Sequence, residues 1–374
     1  MTSVIYPLSA DPIHNGHINN IKRLTKNFNH VFVAIGKNYE KKPRYLFSDG
    51  EKLMITKKAL ARLNREESKI TKNTKIENAK KAKISVELFD GLLVHYANKK
   101  GTNIIVRGSR NSMDFESEQV MAEFNKNYGL DTFIIPAPQK TFTLSSTMIK
   151  AIVENGGLVH EYTPPVIKQA LEEKILGLTL VGVTGNTGSG KTSLCKELAQ
   201  LNTDIDYIEV DKLIKELYQA DLSVKHKVKQ AFGANIYHNN NIDRKKLAKI
   251  IFKDTGERLK LVEILRQPFK IALEKKIKSL TGIVLIDCAY LVEYGLLPMI
   301  NYNVVLLQCS AKTKLKRNQK ANQIIPVQLT ENELKKQIIS EQKKSGQDNL
   351  LIINTDKQIN YSLIVQKIRG WKIV

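Results

Sequence analysis

Apolar and polar positions change in blocks along this chain of 374 residues. Short runs rich in β-branched and aromatic residues at 4–6, 31–36, 84–89, 103–107 and 132–136 read as strands. Between them lie longer stretches with helical spacing, such as 49–63 with Leu53, Leu60 and Leu63 on one stripe. A second series follows, with strand-like runs at 178–183, 207–210, 283–287, 304–308 and 350–354. Strands alternating with helices predict parallel sheets covered by helices. The first series ends in a helix near 165–176, and Gly177 is the natural seam, so the chain divides into 1–176 and 177–374 with a very short linker. Residues 64–83 are polar and lysine-rich without an apolar face, which predicts an exposed, mobile insertion. The halves share an architecture but no internal repeat.

The length suits two domains of about 150–200 residues each. With 42% hydrophobic and 26% charged residues, the composition is that of a globular chain rather than a disordered one. The most apolar stretch, 282–297, carries Asp287 and Glu293, and none approaches the roughly 18 residues of a membrane span. No signal peptide is visible. Cys195, Cys288 and Cys309 all sit in apolar settings, as reduced core thiols would. These features predict a cytoplasmic protein without a membrane partner.

The net charge of +22 is spread evenly: 27 basic and 18 acidic side chains up to residue 176, then 32 and 19. No basic helix, aromatic stacking motif or zinc-finger spacing accompanies it. The excess is therefore read as a Lys/Asn-rich composition with sites for polyphosphates, and no nucleic-acid partner is expected.

Two segments carry chemistry. Near the start, a strand ending at Tyr6 leads through a turn with Pro7, Asp11, Pro12 and Gly16 into a helix from about His17. The free N–H groups and partial positive charge of a helix N-terminus receive phosphate. His14 and His17 flank Asn15–Gly16, where a hydrogen-bond-donating imidazole could stabilise charge on a transferring phosphorus. Past the middle, GNTGSGKT fits G-x-x-x-x-G-K-[ST] between an apolar strand and a helical stretch, the context that this phosphate-loop motif needs. Its members are Gly185, Asn186, Thr187, Gly188, Ser189, Gly190, Lys191 and Thr192, with Ser193 following. Lys191 would reach the β- and γ-phosphates of ATP and Thr192 would bind Mg²⁺. Asp211, at the expected end of the next strand, could take a proton, support the metal or cap a helix.

In the first half SADPIHNGH, KKP at 41–43, FDGLL at 89–93, RGSR at 107–110, DFESE at 114–118 and LSST at 144–147 occur in order. Together they resemble bacterial-type phosphopantetheine adenylyltransferases, which have a Rossmann-like HxGH nucleotidyltransferase fold. The resemblance implies attack of the 4′-phosphate of phosphopantetheine on the α-phosphorus of ATP, without a covalent enzyme intermediate. By it, His17 stabilises the pentacovalent state, Ser9, Lys41 and Arg107 hold the pantetheine phosphate, and Leu93 lines the pantetheine arm. ATP would meet Ser9, Ala10, His17, Gly108, Ser109, Arg110, Glu118, Thr141, Phe142, Thr143, Leu144, Ser145, Ser146 and Thr147. Ala10 and Thr141 depart from the aromatic residues usual there. A homo-oligomer through this domain is also implied.

In the second half VTGNTGSGKTS, YIEVDKLIKELY, FGANI, DRKKL, DCAYLVE and KLKRNQ resemble dephospho-CoA kinases, with a P-loop kinase fold. The resemblance implies Asp211 as general base for the ribose 3′-hydroxyl and Arg317 as a phosphate-contacting lid residue. Gln267–Pro268 stands for the family's His–Pro, Ala321 for its second lid arginine, and Lys343 or Lys344 for a later one; lysine does not reproduce bidentate phosphate binding. The two resemblances imply a bifunctional coenzyme A synthase that takes phosphopantetheine through dephospho-CoA to CoA, with ATP and Mg²⁺. Two alternatives stand at this point: an active adenylyltransferase with an impaired kinase half, or a nucleotidyltransferase of other acceptor specificity fused to a small-molecule P-loop kinase.

Overall fold

The computed structural model describes residues 2–37, 45–73, 82–139, 141–238, 241–251, 254–321 and 328–374. The chain forms two compact units. One comprises Met1–Ile152, Val159–Lys174 and Ile373–Val374, and the other Val153–Leu158 and Ile175–Lys372.

The first unit runs β1 (Ser3–Leu8), α1 (Asn15–Leu24), β2 (His30–Gly36), α2 (Asp49–Asn73), β3 (Lys83–Phe89), α3 (Leu93–Lys100), β4 (Ile104–Ser109), α4 (Ser112–Lys126), β5 (Asp131–Pro136), α5 (Ser146–Glu154) and α6 (Pro165–Leu171). Its strands are all parallel, in the order β3-β2-β1-β4-β5. β1 and β2 are continuous apolar runs because both faces of a central parallel strand are covered. The edge strand β5, by contrast, has only exposed and half-buried positions. Ile5, Ile35 and Ile105 are fully buried, each adding about 1.5–3 kcal/mol of apolar burial. The chain builds outward from β1 on one side, then returns to place β4 on the other. That reversal opens a crevice beyond the carboxyl ends of β1 and β4, where ligands of open α/β sheets bind.

The expected boundary at residue 64 needs correction: α2 continues to Asn73, so the first half of the polar stretch 64–83 is helical, while 74–81 lie outside the described residues. The stretch prolongs a helix already nucleated and anchored by the buried Ile55, Leu60 and Leu63, and adding turns to an existing helix costs far less than starting one.

The second unit runs β6 (Leu178–Thr184), α7 (Lys191–Leu201), β7 (Ile205–Glu209), α8 (Val210–Ala220), α9 (Leu222–Phe232), the short pair β8 (Tyr237–His238) and β9 (Asn241–Ile242), α10 (Arg244–Ile251), α11 (Thr255–Ile277), β10 (Gly282–Asp287), β11 (Val304–Gln308), α12 (Ala311–Ala321), α13 (Glu331–Ser345), β12 (Leu350–Asn354) and α14 (Tyr361–Arg369). Its main sheet is parallel in the order β12-β11-β6-β10-β7. Every residue of the central strand β6 is buried. Gly182 on that strand is required by packing, since a Cβ there would stand 2.4 Å from Ile300 Cδ1. Strand β7 ends at Glu209, one residue earlier than expected, which puts Asp211 in the first turn of α8. The three cysteines are buried and unpaired, and burial raises the Cys195 and Cys288 thiols well above their ordinary range. Among the described residues no helix is long and apolar enough to cross a membrane.

Candidate active sites

In the first unit, the crevice beyond β1 and β4 is a cleft of about 610 Å³. Helix α1 enters it through a reciprocal cap built from two histidines. His14 Nδ1 accepts from the Gly16 N–H at 3.1 Å, and the His14 N–H donates to His17 Nδ1 at 3.3 Å. The rings stand 3.9 Å apart. Gly16 is required by this contact, because a Cβ would lie 2.9 Å from His14 Cε1. With both Nδ1 atoms accepting, the neutral rings carry their hydrogen on Nε2. Burial is the main reason that both stay neutral. It lowers His14, helped by the Arg110 charge, to about 4, and it takes His17 well below its ordinary value, helped by His14 and Arg110. The cleft therefore holds neutral imidazole donors rather than imidazolium cations at physiological pH.

Arginines from β4 and the turn after it supply the positive charge. Arg107 Nε donates to Glu118 Oε2 at 2.5 Å, and its Nη1 to the Pro7 carbonyl at 3.3 Å. Arg110 is forked onto Asp114 at 2.8 and 3.3 Å and donates to the Leu144 carbonyl. That contact holds the Asp114 carboxyl below its usual range. Gly108 leaves room for Asn20: a Cβ would stand 2.6 Å from Asn20 Nδ2, which donates to the Tyr6 hydroxyl at 3.1 Å. Behind the wall, buried Asp11 pairs with Lys150 at 2.7 Å and accepts from the N–H groups of Leu46 and Phe47. It thereby anchors the chain leading into α2.

In the second unit, the loop after β6 reaches αL-type conformations that only glycine takes without strain, at Gly188 (φ +84°) and Gly190 (φ +94°). Gly185 lies so close to β11 that a Cβ would be 2.4 Å from the Leu307 carbonyl oxygen. Lys191 curls into the loop, donating to the carbonyls of Gly185 at 2.9 Å and Asn186 at 3.3 Å. Thr192 Oγ1 donates to Asp287 Oδ2 at 2.5 Å. Burial depresses Lys191 and raises Asp287, and each charge partly offsets the shift of the other. Arg317 of α12 binds the loop from outside through the Gly188 carbonyl (3.1 Å) and both oxygens of Thr355 (3.0 and 3.1 Å). Thr355 Oγ1 donates in turn to the Ser189 carbonyl.

Of the residues singled out from sequence, Ser9, His17, Arg107, Gly108, Arg110, Glu118, Thr141, Ser145, Ser146 and Thr147 line the first cleft together. Ala10 is buried beneath it in a left-handed backbone conformation (φ +52°). Leu93 is half-buried against the cluster that includes Ile5, Phe32 and Ile105, as is Phe89, which also lines the cleft. Ser109 turns its hydroxyl to the Asn111 carbonyl; Phe142 is exposed and Leu144 buried. Lys41 lies outside the described residues. In the second unit Gly185–Thr192, Arg317 and Asp287 converge, whereas Asp211 is exposed on α8. Asn20, Tyr6, Thr355 and Asp287 escaped the reading of the sequence as site residues. The signal for Asp287 was present, as the acid that closes the apolar run of β10. Asn20 was visible only as a polar residue on the buried face of α1, and Thr355 carried no signal.

Comparison with known proteins separates the two units in the same way. A family model described as cytidylyltransferase-like matches residues 5–152, and one described as dephospho-CoA kinase matches 179–360. Phosphopantetheine adenylyltransferase of Pseudarthrobacter chlorophenolicus is 37% identical over 172 residues, which are 46% of this chain and 92% of the relative. The enzymes of that name from Renibacterium salmoninarum and Deinococcus radiodurans are 35% and 33% identical, over 97% and 93% of their lengths and 46% of this chain. Over its first half the chain thus belongs to the phosphopantetheine adenylyltransferase family, fused to a second unit that matches the dephospho-CoA kinase family.

Proposed function

We propose that this chain carries out the last two steps of coenzyme A formation. The first unit transfers the adenylyl group of ATP to 4′-phosphopantetheine, giving dephospho-CoA and pyrophosphate. The second transfers the γ-phosphoryl group of another ATP to the ribose 3′-hydroxyl of dephospho-CoA. The observation that carries this reading is the pairing itself: an adenylyltransferase-family unit and a kinase-family unit share one chain, and the product of the first reaction is the substrate of the second.

In the first cleft the chemistry needs no covalent intermediate, so positioning and charge stabilisation do the catalysis. His17 donates from a neutral imidazole to the pentacovalent phosphorus centre, and the N-terminus of α1 faces the same oxygens. Arg107, with Ser9 and Lys41, holds the attacking phosphate, and Arg110, Glu118 and the Ser145–Thr147 turn hold ATP. The ion pairs Arg107–Glu118 and Arg110–Asp114 keep the cations aimed without substrate.

In the second unit the loop N–H groups from Thr187 to Thr192 cradle the triphosphate. Lys191 exchanges its carbonyl partners for phosphate oxygens, and Asp211 takes the proton of the ribose hydroxyl. Thr192 and Asp287 present adjacent hard oxygen donors, which suits Mg²⁺, an ion that takes one or two protein ligands and completes its shell with phosphate and water. Such an ion, when bound, neutralises charge between the β- and γ-phosphates. ATP labelled separately at the α- and γ-phosphorus tests the reading. Purified protein given phosphopantetheine should place one α label and one γ label in each CoA molecule. A product with the α label alone would overturn the kinase step, and a product with neither would overturn both.

A further inference from the structure

One N–H group of the phosphate loop is held by a side chain from elsewhere in the second unit. Thr187 donates to Gln328 Oε1 at 2.8 Å. Lys191 and Thr192, by contrast, find their partners in the loop itself and at the end of β10. Gln328 lies just before α13, on none of the elements that build the loop.

Its position is fixed from both sides. The carbonyl of the next residue, Leu329, accepts from Asn186 Nδ2 at 3.1 Å, so two successive residues bond two successive residues of the loop. Thr330 then caps α13 in a reciprocal box with Glu333. Glu331 accepts from the Cys309 N–H at 3.2 Å and pairs with Lys314 at 2.5 Å. Leu334 and Ile338 bury the helix in the core. The strap 328–330 is thus tied to the loop at one end and to a packed helix at the other.

An amide oxygen and a phosphate oxygen compete for the same N–H, but not on equal terms. A hydrogen bond to an ionised acceptor is about twice as strong as one to a neutral acceptor. Gln328 therefore keeps the Thr187 N–H paired, yet yields it to a polyphosphate that Lys191 and several loop N–H groups bind together. A carboxylate at 328 would hold the N–H more firmly and repel phosphate, and an apolar side chain would leave it open.

We propose that Gln328 is a neutral plug of the phosphate loop, which holds the Thr187 N–H until the triphosphate displaces it and so sets how tightly the second unit binds ATP. The inference rests on the reading that this loop holds the phosphates of ATP. Once displaced, the amide takes no part in phosphoryl transfer, so it acts on affinity and not on the chemical step.

The test follows CoA formation from added dephospho-CoA by the full chain, with inorganic tripolyphosphate as a competitor that has the phosphates without the nucleoside. Gln328→Leu, which removes the acceptor, should lower the KM for ATP about three- to ten-fold and strengthen tripolyphosphate inhibition by the same factor. Gln328→Glu, which makes the acceptor charged, should raise that KM and weaken the inhibition about ten-fold. The kcat, and adenylyl transfer by the first unit, should stay as in the wild type. An unchanged or raised KM in Gln328→Leu, an unchanged or lowered one in Gln328→Glu, a fall in kcat, or a shift for ATP without one for tripolyphosphate would each overturn the plug while CoA is still formed. A wild-type chain that leaves added dephospho-CoA unphosphorylated would instead overturn the kinase reading on which it rests.

Discussion

His14 is 4% exposed, and its Nδ1 is committed to the Gly16 N–H, so protonation must break the cap of α1 and charge a buried ring. Its affinity for a proton is therefore lower in the folded chain, where the pKa is about 4, than in the unfolded chain, where it is 6.5. Unfolding takes up a proton between those values, so stability rises with pH across the window, is full above it, and is lost as pH falls through 6.5 toward 4. The difference corresponds to about 3 kcal/mol in total, of which about 2 kcal/mol is lost by pH 5. His14→Asn keeps a side-chain oxygen for the Gly16 N–H and removes the titration. Urea unfolding at pH 7, 6 and 5, read by hydrogen exchange of the β1 amides, should show the wild type losing about 2 kcal/mol more than the variant. A gap between the two proteins that does not change with pH would refute the reasoning.

Three substitutions probe the sites themselves. Gly188→Ala forces a side chain onto φ +84° with its Cβ 2.7 Å from Asn318 Oδ1, and should raise the kinase KM for ATP about ten-fold; an unchanged KM would show that the loop tolerates the shift. Arg107→Lys cannot hold Glu118 and the Pro7 carbonyl together, so kcat/KM for adenylyl transfer should fall about ten- to a hundred-fold, and an unaltered rate would remove Arg107 from the account. Asp287→Asn should lower kcat for CoA formation about a hundred-fold and be partly rescued by raised Mg²⁺; retention of full rate would separate Asp287 from the metal.

Features with a single local cause were legible in the sequence. Continuous apolar runs marked β1, β2, β6 and β10, because strands covered on both faces have no polar side. The loop 185–192 was legible because its glycines are each demanded by a backbone angle or a close approach. The polar end of α2 misled, since a helix anchored by its buried first turns can continue through a segment that has no apolar stripe of its own. Pairings across the sheet were out of reach. Nothing local links Thr355 to Ser189, or Asn20 to the space left by Gly108, because those contacts exist only once β12 lies beside β11 and β4 beside β1. The caps by His14 and His17 were visible as residues but not as an arrangement. Their spacing admits a reciprocal cap, yet only the buried geometry turns them into neutral donors.

The central claim, that two separate cradles perform successive reactions on one pantetheine-bearing molecule, is tested most directly by following the intermediates by mass in three proteins. The wild type should convert phosphopantetheine to dephospho-CoA and then to CoA. His17→Asn should make neither from phosphopantetheine yet phosphorylate added dephospho-CoA, and Lys191→Met should accumulate dephospho-CoA at the wild-type rate. Loss of both reactions in both variants, with their folds intact, would contradict the account.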